Sequence, residues 1–214
     1  DATTFVKWQY VDILLRQGIA SEMAPFVSAL NGGTTTRANV IDSLEGSTEF
    51  ASKVAPIIRL YYSALTRTPD YSGLAFWVGQ LRSGASLQSV ADFFATTQAF
   101  QKTYGTGTPR QFVIRVFQNV LGRAPTTAER QSWVAQVKSG AATRSQVVRQ
   151  ISESAESVQT SASKVFVTSL YVGMLRRAPT KAELNSGITT ANQSHVTLIN
   201  SILSSQEYHN RVFQ

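Results

Sequence analysis

The sequence predicts an all-α repeat protein, and three observations carry that prediction. A leucine–x–arginine anchor recurs four times, at Leu14-Leu15-Arg16, Leu65-Thr66-Arg67, Leu121-Gly122-Arg123 and Leu175-Arg176-Arg177, with the leucines 51, 56 and 54 residues apart. An interval of about 50 residues held over four copies marks a duplicated supersecondary unit. Apolar residues precede each anchor at helical spacing, and no segment alternates apolar and polar residues as a strand would. The expectation is four tandem three-helix repeats, roughly twelve helices in all, arranged in one core or two lobes.

The first helix of each repeat is the most strongly patterned. Val113, Val116, Phe117, Val120 and Leu121 fall at i, i+3, i+4, i+7 and i+8, as do Ile57, Leu60, Tyr61, Ala64 and Leu65, and Val167, Leu170, Tyr171, Met174 and Leu175. In the first repeat Val6, Tyr10, Ile13 and Leu14 give the same stripe, with Gln9 interrupting it. Pro69, Pro125 and Pro179 follow three of these helices, and Gly18 stands in that place in the first repeat. Next come Asp70, Thr126 and Thr180, good N-caps for a second helix, and Thr126-x-x-Glu129 and Thr180-x-x-Glu183 form capping boxes. Phe26, Trp77 and Trp133 stand ten residues after their arginines and read as packing anchors, with Gly187 at the fourth such position. Thr36, Ser86, Thr143 and Ser194 are N-caps for the third helix. The repeats close on Ser47-Thr48-Glu49-Phe50, Thr97-Gln98-Ala99-Phe100, Ser154-Ala155-Glu156-Ser157 and Ser205-Gln206-Glu207-Tyr208.

Tyr104-Gly105-Thr106-Gly107-Thr108-Pro109 is rich in helix breakers and reads as a boundary, giving lobes 1–107 and 108–214. The charge changes there too. Residues 1–107 carry eight basic and eight acidic side chains, whereas residues 108–214 carry twelve and five, so the net +7 lies in the second half. A basic surface of this kind favours an acidic partner.

With no cysteine and only His195 and His209, the chain has no thiolate nucleophile, disulfide or cysteine-based metal site. No phosphate-binding loop or nucleophile elbow is present, Asp70 lacks the alternating ligands of a calcium loop, and no carboxylate pair is singled out. We therefore expect no catalytic residues, no metal ligands and no cofactor. The four anchor arginines sit near helix C-termini and are read as structural, each complementing the dipole and free carbonyls there. Arg115, Arg130, Lys138, Arg144 and Arg149, interleaved with Trp133, are the candidate ligand-binding residues. They lack the spacing of a DNA-reading motif, so nucleic acid is not expected as a partner. No stretch approaches the roughly 18 apolar residues of a membrane span. The chain opens on Asp1 rather than methionine, which leads us to expect that a preceding segment has been removed.

The second repeat, with Leu65-Thr66-Arg67-Thr68-Pro69-Asp70 and then Gly73-Leu74-Ala75-Phe76-Trp77, resembles a bacterial family of helical repeats of unknown function with a phycobilisome-linker-like fold. That family's pattern runs leucine-glycine-arginine-x-proline-aspartate, then glycine-leucine-x-x-tryptophan. Arg123-Ala124-Pro125 with Trp133, and Arg177-Ala178-Pro179, match parts of it; the first repeat lacks the proline and the fourth the tryptophan. The resemblance implies secreted or surface-layer proteins and supplies no catalytic residues. Together with the charge, it leads us to expect a non-enzymatic, exported, cell-surface module that attaches to the envelope through an acidic glycan or lipopolysaccharide. The alternative is a protein–protein scaffold or self-assembly module, with other subunits of a surface assembly as partners.

Overall fold

The structure, a computed structural model, describes residues 1–212. Among them there is helix and turn and no strand. The first repeat contains α1 (Ala2–Ile13), α2 (Ala20–Asn31) and α3 (Arg37–Glu45), and a π-helical turn, Phe50–Val54, leads into the second. The second contains α4 (Ala55–Leu65), α5 (Tyr71–Arg82), α6 (Leu87–Ala95) and the single turn α7 (Gln98–Phe100), followed by a π-helical turn at Gln101–Gly105. The third has α8 (Pro109–Leu121), α9 (Thr127–Ser139), α10 (Arg144–Ser152) and α11 (Ala155–Thr160). The fourth has α12 (Ala162–Met174), α13 (Lys181–Gln193), α14 (His195–Leu203) and α15 (Gln206–Val212). The extra helices beyond twelve are the repeat tails. Thr97 and Ser154 cap α7 and α11, and the tails bury Phe100, Ser157 and Tyr208 as the equivalent tail buries Phe50.

The expected caps are present. Thr36, Ser86, Thr143 and Ser194 each accept a hydrogen bond from the amide three residues on, and Thr126 and Thr180 form full capping boxes with Glu129 and Glu183. The first helices, however, stop before the prolines. Leu15, Thr66, Gly122 and Arg176, each immediately before the anchor arginine, take positive φ of 57°, 53°, 68° and 60°. A left-handed residue at that place reverses the chain and lets the next amide reach back into the helix, as Arg16 N does to Tyr10 O at 3.3 Å and Arg67 N to Tyr61 O at 3.4 Å. The prolines come after this turn and keep the chain extended.

The helices form two compact units that interleave along the sequence. One comprises residues 1–55, 69–79 and 163–214, hence the first and fourth repeats with α5 as far as Gly79; the other comprises 56–68 and 80–162. The pairing responsible is between third helices: α3 packs on α14 in the first unit, and α6 on α10 in the second. Equivalent aspartates mark the two seams, Asp42 facing His195 Nδ1 at 2.9 Å and Asp92 accepting from Ser145 Oγ at 2.6 Å. The boundary expected at 104–109 lies inside the second unit. Its Tyr104 is fully buried, touches the rings of Phe100 and Phe112, and donates to Ser63 O at 2.8 Å. Each such ring contributes roughly 1.5–3 kcal/mol by burial.

In the first unit α1 approaches α12 so closely that a Cβ on Gly173 would stand 2.1 Å from the Asp12 carbonyl. Buried Asp12 is neutralised there by Arg176, at 2.8 Å, and by Arg211. Gln9, which breaks the apolar stripe, is also buried and donates to Tyr208 Oη at 3.0 Å. In the second unit Arg59, 8% exposed, forks onto Glu153 at 2.8 and 2.6 Å.

Candidate functional site

The anchor arginines are structural, through partners that local sequence did not indicate. Arg123 Nε and Nη2 donate to Glu156 at 2.6 and 2.7 Å, Nη1 and Nη2 donate to Glu129 at 2.9 and 2.8 Å, and the guanidinium lies 5.3 Å over the Phe117 ring. Arg16 repeats this with Glu49, Glu22 and Tyr10, and Arg177 with Glu207, Glu183 and Tyr171. One glutamate opens the second helix and the other belongs to the repeat tail, so a single guanidinium ties three parts of the repeat together. Bidentate pairing holds the Glu129 and Glu183 carboxyls down at about 2. Each arginine also donates to the next carbonyl, as Arg123 does to Ala124 O at 3.1 Å. In the second repeat the glutamate positions hold Gly73 and Phe100, and Arg67 stacks over Tyr61 at 5.0 Å and donates to Thr68 O. The signal lay in the sequence as the recurring interval from arginine to a glutamate six residues on.

The six candidate residues separate into two groups. Arg115 donates to Thr103 O at 2.6 Å, Arg144 closes the 104–108 turn by donating to Tyr104 O and Gly107 O, and Arg149 donates to Gln88 Oε1 at 2.9 Å. These three side chains hold the second unit together. Arg130 and Lys138 instead line an open groove between α8 and α9, with Arg110, Thr108, Pro109, Gln131 and Val134. Its volume is about 470 Å³. Arg110, Arg130 and Lys138 have no hydrogen-bond or carboxylate partner among the described residues.

Two further facts favour the groove. Assigned to the structural units, the charge separates fully: the second unit carries eleven basic and four acidic side chains, hence +7, and the first carries nine of each. Helix α9, which forms one wall, has no fully buried residue, and Gln131 and Lys138 of the groove are exposed on it. Trp133 is only half-buried on this helix, as Trp77 is on α5, so neither is the core anchor the sequence suggested. The core contacts of α5 come instead from Leu74, Val78 and Leu81. At the fourth such position Gly187 lies close under Val167, where a Cβ would approach to 2.9 Å.

Among the described residues no three His, Asp or Glu side chains gather as a metal site, and no helix is long and apolar enough to cross a membrane. The architecture defines a helical repeat protein whose first, third and fourth repeats are each clamped by an arginine between two carboxylates. The sequence model of the family described as Domain of unknown function (DUF4214) matches residues 1–54, 57–98 and 91–161, and the chain belongs to that family. The matches cover the first three repeats, and the fourth carries the same clamp on Arg177. Comparison with curated proteins and with solved structures finds no match.

Proposed function

We propose that this chain is a non-enzymatic binding module of an exported bacterial surface protein, and that the α8–α9 groove attaches it to the cell envelope through an acidic glycan or lipopolysaccharide. The observation that carries the reading is the convergence of Arg110, Arg130 and Lys138 on one open groove, with no carboxylate in its lining, in the unit that holds all the net charge. The structural arginines of the same unit each meet a carboxylate, a carbonyl or an amide, and these three groove cations meet none among the described residues. The groove's Arg and Lys side chains suit spaced carboxylates or phosphates along a polymer. The test is recovery of envelope polysaccharide by the purified chain at low and high salt, with R110E/R130E/K138E alongside. Salt-sensitive recovery that the triple variant loses supports the reading, and equal recovery by both proteins discards it.

A scaffold role is the second reading, favoured by Phe93 and Val158, which are 55% and 40% exposed in the same unit. An apolar interface would persist at high salt and yield a stoichiometric protein complex.

A further inference from the structure

The groove between α8 and α9 has a counterpart between α1 and α2 of the first repeat. Thr3, Met23 and Asn31 line this second groove, whose volume is about 480 Å³ against about 470 Å³ in the third repeat. They stand 107 residues before Arg110, Arg130 and Lys138, the same interval that separates the clamp arginines Arg16 and Arg123. Val27 and Ala24 precede Val134 and Gln131 of the α9 wall by that interval as well. Two repeats that share the arginine clamp thus build the same groove, and the first copy holds none of the three cations. Lys7, at the place of Ile114, is the charged residue of its lining.

The place of Arg130 is otherwise apolar. Met23, Leu74 and Leu184 occupy it in the other three repeats, and Met23 and Leu74 are buried at 8% and 1% exposure. The fold therefore uses this place for packing, and the third repeat gives that burial up for a half-buried guanidinium that meets no acceptor among the described residues. Three like charges on one groove also repel one another. Arg130 and Lys138 are eight residues apart on α9, about 12 Å along the helix. That span exceeds one pyranose ring, so a ligand that engages both carries its charges on successive units.

We propose that Arg110, Arg130 and Lys138 are the specificity-determining residues of a groove frame that the first repeat also builds, and that Thr3, Met23 and Asn31 exclude the acidic ligand there, leaving one acidic-oligosaccharide site in the chain. This rests on the function proposed above for the α8–α9 groove and adds which residues decide the ligand and how many sites there are.

The test is calorimetric titration of the full chain with trigalacturonate, in the wild type, in R110E/R130E/K138E, and in each of these with T3R/M23R/N31K added. The wild type should bind at one site per chain and the charge-reversed variant at none. The added substitutions should give two sites in the former and restore one in the latter. Met23 is buried, so T3R/N31K, at two exposed positions, is the milder graft; it should restore weaker binding to the charge-reversed variant with the helical circular dichroism unchanged. A wild type that binds no trigalacturonate, or binds it equally after the charge reversal, would overturn the function proposed for the groove and this inference with it. Two sites in the wild type, or one site that the charge reversal removes and neither graft restores, would overturn this inference alone.

Discussion

Arg123 and Glu156, 33 residues apart, are joined by two parallel hydrogen bonds of 2.6 and 2.7 Å, and Arg16 and Glu49 stand at the same interval with the same geometry. The fork closes the repeat by bringing the tail back to the end of the first helix. Since Arg16 is the least exposed of the clamp arginines, at 23%, it gives the clearest test. Arg16→Ala leaves Glu22 and Glu49 facing each other and should lower stability by about 2 kcal/mol in denaturant unfolding. Arg16→Lys should recover less than half of that, because an ammonium cannot serve both carboxylates as a planar fork does.

Thr66 adopts the left-handed conformation that Gly122 occupies in the third repeat. A β-branched residue is strained there. Thr66→Gly should raise stability by about 0.5–1 kcal/mol despite the added freedom of the unfolded chain, and Gly122→Ala should lower it by a similar amount. Opposite signs in thermal unfolding at two equivalent positions are the check.

Gly173 permits the approach of α1 to α12. Gly173→Ala should cost about 3 kcal/mol or more, since its Cβ meets backbone that cannot rotate away. Gly79, with nothing within 4 Å of its Cβ direction, is the control, and Gly79→Ala should be neutral or stabilising by up to about 1 kcal/mol.

Two classes of carboxylate give opposite pH signatures. Glu129 and Glu183 are held near 2, below their ordinary range, so their contribution is full above about pH 4.5 and is lost as pH falls toward 2. Glu45 is the reverse case. Burial pushes its carboxyl well above the ordinary range, and its Oε2 has no partner. Ser169 Oγ lies 2.6 Å from Glu45 Oε1 and 2.7 Å from Phe166 O but has one proton, which a protonated Glu45 complements. A raised carboxyl favours the fold below its unfolded value near 4.5 and loses that contribution as pH rises toward its folded value. Glu45→Gln should therefore stabilise the protein at pH 8 and change little at pH 4, as measured by urea unfolding at both.

Much of the fold was legible because its signals are local. The N-caps at Thr36, Ser86, Thr143 and Ser194 and the capping boxes at Thr126 and Thr180 need only neighbours in sequence, and each forms as expected. The pairing of α3 with α14 and of α6 with α10 was not legible, because an amphipathic stripe tells that a helix is buried and not against which partner. Tyr104 was read within a linker since glycine and proline follow it, yet its ring is core. At the candidate site the sequence singled out Arg130 and Lys138 of the groove. Arg115, Arg144 and Arg149 look the same in sequence, and only the carbonyls and amide they meet in the fold separate them.

The most direct measurement of the binding proposal is the affinity for polygalacturonate, an acidic polymer, against neutral dextran over a range of salt. Polygalacturonate alone should bind, weakening on the order of tenfold between about 50 and 200 mM salt as exposed charges are screened. R110E/R130E/K138E should abolish it, while K7E/K181E, charge reversals in the first unit, should leave it unchanged. Equal loss in the two variants, or binding that survives both and is indifferent to salt, would contradict the assignment of the α8–α9 groove as the glycan site.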